Sequence, residues 1–341
     1  LNVTMFMRHP VRGWHSIESV FETVRKNLPP GTSVRLVTLD QPSRRLIPRL
    51  RNLIQAFRER GEINHITGDV HYLSLALPGP RTILTIHDLG NLDNQTGLRR
   101  WFLETFWFRL PARRVAAITT VSQFTTNALA DLIPSQASKI VTINNAIGNA
   151  FATRGAEPGP QDARRMKSGQ AMILCVGTTT NKNLERVFEA VEGLPTTLVI
   201  IGHLTSDQER SIRIRGVKFR NVSDLTQDQV VRTYLDCDLL LFPSTYEGFG
   251  MPIVEAQSLG IPVITSNREP MASIAGDGAL LVEPDDPKEI RRAVQAVVAD
   301  AQLRHRLVTA GLANSNRFRP EVTAQHYVDV YRQVSGRLSG Y

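Results

Sequence analysis

Phe242-Pro243-Ser244-Thr245-Tyr246-Glu247-Gly248-Phe249-Gly250-Met251-Pro252-Ile253-Val254-Glu255-Ala256 is the stretch whose reading decides the fold. The run Asp238-Leu239-Leu240-Leu241-Phe242 that leads into it has the apolar pattern of a buried parallel strand. Pro252 suits the first turn of a helix, where its missing N–H costs nothing. Between strand and helix lies a loop with a carboxylate, Glu247, and two glycines, Gly248 and Gly250. Backbone N–H groups at such a helix start, at the positive end of the helix dipole, favour anions or sugar hydroxyls. Glu247 sits on the loop and Glu255 in the first helical turns, with seven residues between them. Either glutamate alone would be an ordinary helix-stabilising residue. The joint pattern is much rarer.

Working outward, short apolar strands alternate with helical patterns along both halves of the chain. The strands expected before the decisive stretch are Val3–Met7, Ser33–Leu39, Ile63–Thr67, Thr82–Leu89, Ala117–Val121, Ile140–Ile143, Ala171–Val176, Thr197–Ile201 and Val217–Val222. Those after it are Ile261–Ser266 and Ala279–Val282. Alternation of this kind argues parallel sheets with helices on both faces. Arg44–Arg60 is a basic helix with apolar residues near helical spacing, Leu98–Ala112 a helix rich in aromatics and arginine whose broad apolar face reads as core packing or as a membrane-surface helix, and Asp286–Leu307 and Glu321–Leu338 carry helical periodicity. Ala152–Gln170 is rich in glycine, proline and charge, the composition of a linker. The expected organisation is a first domain over 1–152, a linker over 153–170 and a second domain over 171–320, with part of 321–341 packed on the first.

The Glu247-x7-Glu255 pattern with its Gly-Phe-Gly-Met-Pro interior resembles the signature of retaining glycosyltransferases of family GT4. The resemblance continues through Gly260-Ile261-Pro262-Val263-Ile264-Thr265-Ser266-Asn267 to Ala275-Gly276-Asp277-Gly278-Ala279. It implies the α/β GT-B fold: two Rossmann-like domains with parallel sheets facing across a cleft, and a C-terminal helix crossing back to the N-terminal domain. It further implies a metal-independent, retaining transfer of a mannose- or glucose-like hexose from a nucleotide-diphosphate sugar, with no cofactor. Lys182, after the small-residue loop Gly177-Thr178-Thr179-Thr180-Asn181, matches the family's diphosphate-binding Lys, while Thr178 stands where many relatives carry Arg. Val222 and Ser223 occupy the nucleobase position, and Glu255 that of the ribose-binding carboxylate. Glu247, with the N–H groups around Phe249, Gly250 and Met251, would bind the transferred sugar. His87, ending the Thr85-Ile86-His87-Asp88-Leu89 phrase, matches the active-site histidine of the other domain, and Gly13, His15 and Ser122 are acceptor-side candidates. No metal-ligand set is expected.

The chain of 341 residues has room for two domains. No apolar run approaches the roughly 18–20 residues needed to span a bilayer, and no secretory leader is expected ahead of the first strand. Cys175 and Cys237 lie in or beside apolar segments and read as buried free thiols of a reducing compartment. The net charge of +8 is unevenly placed. Residues 1–150 hold 18 Lys+Arg against 10 Asp+Glu, and residues 151–341 hold 22 of each. The excess in the first half suits an anionic membrane surface or an anionic acceptor, and a cytoplasmic enzyme, peripheral on the inner face of the membrane and using a glycan or lipid-linked acceptor, is the expectation.

Three rival readings are weaker. A glycosidase needs two carboxylates flanking one bond, about 5–5.5 Å apart for retention, and residues eight positions apart on one wall do not suggest flanking. A GT-B sugar phosphorylase or nucleotide-sugar epimerase would share the scaffold but not the reaction. A basic nucleic-acid-binding protein would need a groove-reading element or stacking platform, and none is evident, so nucleic acid is not expected as a partner.

Overall fold

Runs of β-branched and leucine residues too apolar for a solvent-facing sheet form two all-parallel sheets in the computed structural model, which describes residues 1–10, 16–43, 45–92, 95–152 and 170–338. The chain divides into two units, Leu1–Ala146 with Pro320–Tyr341, and Ile147–Arg319. The first unit therefore ends before residue 152. Nearly all of the expected linker, and the candidates Gly13 and His15, lie outside the described residues.

The first unit contains β1 (Asn2–Met7), α1 (Ser16–Lys26), β2 (Ser33–Thr38), α2 (Leu46–Glu59), β3 (Ile63–Ile66), β4 (Thr82–Ile86), α3 (Gly97–Leu103), α4 (Leu110–Arg114), β5 (Ala117–Thr120), α5 (Gln123–Leu132) and β6 (Ile140–Thr142). Its strand order is β2-β1-β3-β4-β5-β6, with Val3 paired to Val34 on one side and Ile63 on the other. A π-helical turn over Glu104–Arg109 joins α3 to α4. The segment expected over Leu98–Ala112 splits its side chains: Phe108 and Ala112 enter the core, whereas Leu98, Trp101, Phe102 and Phe106 stand exposed.

The second unit holds α6 (Asn149–Ala152), β7 (Met172–Val176), α7 (Leu184–Val191), β8 (Thr197–Ile201), α8 (Ser206–Ile214), β9 (Lys218–Val222), α9 (Gln227–Leu235), β10 (Leu239–Phe242), α10 (Met251–Ser258), β11 (Val263–Ser266), α11 (Met271–Ala275), β12 (Ala279–Val282), α12 (Pro287–Ala299) and α13 (Ala301–Ser315). The strand order is β12-β11-β10-β7-β8-β9. The chain builds outward from β7 to β9, then returns to place β10 on the other side of β7, so order reverses between β7 and β10. In open α/β sheets the crevice at such a reversal, outside the strands' carboxyl ends, is where ligands bind. The continuous periodicity read over Asp286–Leu307 is two helices. Asp300 ends α12 and caps α13, accepting from the N–H groups of Gln302 and Leu303 at 2.8 and 3.0 Å. The Ala275–Ala279 phrase is a packing device: a Cβ on Gly278 would lie 2.5 Å from the Gly311 backbone, so only glycine lets α13 come this close.

The last helix, α14 (Pro320–Leu338), belongs to the first unit. It docks through a buried polar network as well as apolar contacts. The His65 ring on β3 has Nδ1 2.8 Å from the Tyr331 hydroxyl and Nε2 2.7 Å from Thr85 Oγ1, which lies 2.7 Å from Thr119 Oγ1. The Tyr327 hydroxyl joins the two threonines. Burial, reinforced by His87, pushes the His65 pKa down to about 3, so the folded protein holds the ring neutral. Between its usual value and about 3 the unfolded chain binds the extra proton, and stability therefore falls as pH falls through that window. Tyr331→Phe leaves a buried ring nitrogen without its partner and should cost about 1–3 kcal/mol. Denaturant midpoints measured against pH should show both effects: a lower midpoint for Tyr331→Phe near neutrality, and a decline for the unaltered chain on acidification that His65→Phe weakens.

Candidate active site

The two loops at the β7/β10 reversal are the ones that sequence singles out. After β7 the chain turns at Gly177, whose φ of +89° is open to glycine. Its N–H donates to Ile201 O at 2.8 Å, tying the loop to the end of β8. Thr178 Oγ1 donates to His203 O at 2.7 Å, so its hydroxyl proton holds the neighbouring strand end. Asn183 adopts the left-handed conformation at φ 62° and donates to Pro243 O and Pro284 O, pinning the start of α7 against the loop after β10. Val222 O accepts from Gly202 N at 2.8 Å, which brings the end of β9, with Ser223 beside it, alongside the same strip of strand ends.

The loop after β10 answers the first. Lys182 Nζ donates to Glu247 Oε1 at 2.5 Å, both side chains being mostly buried, and the ammonium lies 4.7 Å from the centre of the Phe242 ring. Asn181 Nδ2 donates to the same carboxylate oxygen at 3.2 Å and to Tyr246 O at 2.9 Å. Thr245 N donates to Asn181 O, completing a hydrogen-bonded seam between the loops. The Phe249 ring is buried edge-on against Phe318 at 5.6 Å, so this residue offers the site its backbone. Gly250, at φ +103°, turns the chain into α10; Pro252 has no N–H and Ile253 N donates to Gly250 O at 3.0 Å, so Met251 N–H is the first-turn donor without a partner within the helix.

Glu255 lies one to two turns into α10. It accepts from the Tyr234 hydroxyl at 2.7 Å. Protein packed around the carboxyl pushes its pKa up to about 7, against the opposing effect of that hydrogen bond. Tyr234 is itself buried on α9, edge-on to Phe151.

In the first unit His87 follows β4. Its Nε2 donates to Thr67 O at 2.8 Å, which leaves Nδ1 as the nitrogen able to serve elsewhere in the neutral ring. The Phe21 ring packs edge-on against it. Ser122 is buried, and its Oγ caps α5 by accepting from Thr125 N at 3.2 Å. Its hydroxyl oxygen is thus engaged as the cap of α5. Asp236-Cys237-Asp238 spells an Asp-x-Asp run. Asp238 is buried before β10, at the opposite strand end from the loops, with Oδ2 accepting from Met172 N at 2.7 Å. Among the described residues no group of three His, Cys, Asp or Glu side chains could hold a metal ion. Cys175 and Cys237 are both buried free thiols.

Residues 161–313 match the family model described as Glycosyl transferases group 1, and residues 12–149 match that described as Glycosyltransferase Family 4. The chain belongs to this glycosyltransferase family. Among its relatives is the O-antigen chain mannosyltransferase B of Escherichia coli, 27% identical over 63% of this chain and 60% of that protein. Another is the serotype-specific mannosyltransferase WbdA of Escherichia coli, 24% identical over 74% of this chain and 34% of that one. The chain thus spans under two thirds of these relatives' length. Solved structures share the fold. Anabaena Alr3699/HepE in complex with UDP and glucose aligns with a TM-score of 0.79 at 14% identity, covering 98% of this chain and 100% of that one. WaaG, a glycosyltransferase involved in lipopolysaccharide biosynthesis, aligns with 0.73 at 14% identity, covering 97% and 99%. The fold is GT-B.

Within this family member, sequence reasoning brought out Lys182, Glu247 and Glu255 but missed Asn181, Asn183 and Tyr234. The Asn-Lys-Asn run around Lys182 was a signal for the first two, since asparagine tolerates left-handed backbone and bonds locally. Nothing in sequence tied Tyr234 to Glu255. The Lys182–Glu247 pair is testable as a unit. Removing either partner leaves a mostly buried charge uncompensated, while removing both does not. Lys182→Met and Glu247→Gln should each destabilise the second unit, and the double variant should lose less than the two combined, with a coupling of about 1 kcal/mol or more by a denaturation double-mutant cycle.

Proposed function

We propose that the protein moves a mannose- or glucose-like hexose from a nucleotide-diphosphate sugar to a glycan or lipid-linked acceptor in polysaccharide or glycolipid synthesis, with retained anomeric configuration and no required divalent ion or cofactor. The observation that carries this reading is the meeting of Lys182 and Glu247 at the β7/β10 reversal, beside the open N-terminus of α10. The printed names of the two Escherichia coli relatives favour mannose, and the UDP held by the Anabaena protein favours a nucleotide in this fold.

In this reading Lys182 and the N–H groups near Thr178 and Gly250 hold the diphosphate, a charge that an ammonium and backbone dipoles can balance. Ribose hydroxyls donate to ionised Glu255, the base meets the backbone at Val222 and Ser223, and Glu247 with the backbone at Phe249, Gly250 and Met251 grips the sugar. The bond from the sugar's C1 to the diphosphate oxygen breaks, the bond to the acceptor oxygen forms on the same face, and the acceptor's proton leaves with the diphosphate. Glu247 stays unmodified, and His87 is assigned to the sugar by its match to the family's active-site histidine.

Ligand-induced thermal stabilisation with GDP, UDP and their sugars tests the donor, because a ligand that binds only the folded state raises its stability. Lys182→Ala and Glu255→Gln should weaken nucleotide binding, and unchanged affinity in both would remove the assignment. Glu247→Ala should lower turnover more than it weakens nucleotide binding. Below about pH 7 the Glu255 carboxyl keeps its proton and accepts poorly, so affinity should climb as pH rises through that value. Tyr234→Phe removes the hydrogen bond that lowers the Glu255 pKa and should move this rise to higher pH, and Glu255→Gln should flatten it. Inversion in an NMR product assignment, or activity lost to EDTA and restored by magnesium, would overturn the stereochemical and metal-free parts.

A further inference from the structure

The helix α2 is amphipathic the wrong way round for a core helix. At about 100° per residue, Leu46, Ile47, Leu50, Ile54 and Phe57 fall within one arc of about 100°. All five stand exposed, from 50% for Leu50 to 73% for Leu46. The opposite face, turned into the protein, carries Asn52 and Ala56, both fully buried. Asn52 is held there by polar bonds: its Oδ1 accepts from Gln41 N, and its Nδ2 donates to Gln41 O at 2.8 Å and to the Tyr72 hydroxyl at 3.0 Å. These bonds fix the rotation of the helix, so the leucine and isoleucine stripe cannot turn inward without stranding a buried amide.

A second segment extends the surface. On α3 and the π-helical turn, Leu98, Trp101, Phe102 and Phe106 are exposed, and the Phe102 and Phe106 rings lie 4.6 Å apart. The two segments adjoin through Arg49 of α2, whose guanidinium lies 5.5 Å from the Trp107 ring and 5.7 Å from that of Tyr72. Among the described residues thirteen large apolar side chains stand exposed; nine are on these two segments, and Leu75 is on the turn between. Clustering of that kind marks an interaction surface, whereas scattered exposed leucines need no explanation.

Charge decides the occupant. On the helical wheel Arg51 and Arg58 flank the apolar arc on one side and Arg49 and Arg60 on the other. Arg99 is exposed on the second segment and Arg113 just beyond it on α4. Of the carboxylates nearby, Glu59 pairs with Arg35 and Glu104 with Arg100 and Arg109, while Asp40 lies exposed beside Gln55 of α2. Among the described residues the rim is therefore mainly cationic. A second copy of the chain would set arginines against arginines, while a bilayer bearing anionic lipid offers charge to the rim and hydrocarbon to the arc. We propose that α2 and the Gly97–Arg109 segment together form a docking surface for an anionic lipid bilayer, lying in its interface. Among the described residues no helix is long and apolar enough to cross a membrane, which fits a surface-lying mode.

The proposal does not depend on the transferase reading, and its test needs no sugar donor. The full chain is sedimented with vesicles of phosphatidylcholine alone and of phosphatidylcholine with phosphatidylglycerol. It should bind the anionic vesicles preferentially, and binding should weaken as salt rises, since screening acts over about 8–10 Å. Arg51→Gln with Arg58→Gln should lower the partition coefficient by about tenfold or more. Ile47→Ser with Ile54→Ser should lower it on both vesicle types, because these exposed side chains contribute apolar contact; Ile214→Ser, on the second unit, should leave it unchanged. Circular dichroism checks that each variant keeps its fold. Equal sedimentation with both vesicle types, or none with either, overturns the proposal. So does a concentration-dependent dimer in light scattering that Ile47→Ser with Ile54→Ser dissolves, which would assign the patch to a second copy.

Discussion

Lys182 and Glu247 lie 65 positions apart and meet because β10 returns to the side of β7. Everything local at the candidate site depends on that return. The ion pair stands mostly out of water, where an unpaired ammonium or carboxylate would cost several kcal/mol. Asn181, Asn183 and Thr245 fasten the same two loops with neutral hydrogen bonds to or from backbone groups, Asn181 through Tyr246 O, so the seam persists when the pair opens. Under the proposed function this matters for the donor. A diphosphate can take over the role of the Glu247 carboxylate toward Lys182, which frees that carboxylate for sugar hydroxyls. Gly177 makes the arrangement possible: a Cβ there would sit 2.8 Å from Lys182 Cε, so any other residue would push the ammonium aside.

The first unit solves a different problem. Its sheet must accept a helix from the far end of the chain, and an all-apolar face would leave the rotation of that helix weakly specified. The His65, Thr85, Thr119, Tyr327 and Tyr331 network supplies directional contacts instead. Burial that holds His65 neutral also removes the cost of hiding a charge. His87, one strand over, is anchored through Nε2 to Thr67 O, so its ring plane is set by the backbone at the end of β3. In both units strand ends fix the polar side chains, and helices supply the bulk behind them.

Much of this was legible in the residues. Short apolar runs punctuated by glycine loops gave the strands, and alternation gave the parallel sheets, because both faces of such strands must be covered. The Glu247–Glu255 stretch was legible as a rare joint pattern, and the Lys182 loop through its resemblance to a known family. What escaped were facts of partnership. That the Ser122 hydroxyl caps α5 is such a fact. Asp300 interrupts a helical period that reads as continuous, because a cap acts through backbone N–H groups and leaves no trace in hydropathy. Tyr234 and Glu255 come from separate helices, and only the fold puts a phenol beside that carboxylate.

Helical periodicity in α2 shows the deepest limit of sequence reading. The spacing of Leu46, Leu50, Ile54 and Phe57 says that the helix has an apolar side, but not which way that side faces. Direction is set by what the other side can do. Asn52 can satisfy its amide only against Gln41 and Tyr72, and Ala56 is small enough to lie flat on the sheet, so the polar and small face goes inward. An exposed stripe of this size costs the isolated protein apolar hydration on every face it shows to water. A fold that turns it outward with buried hydrogen bonds, and rings it with arginine, is arranged for a surface that supplies both hydrocarbon and negative charge.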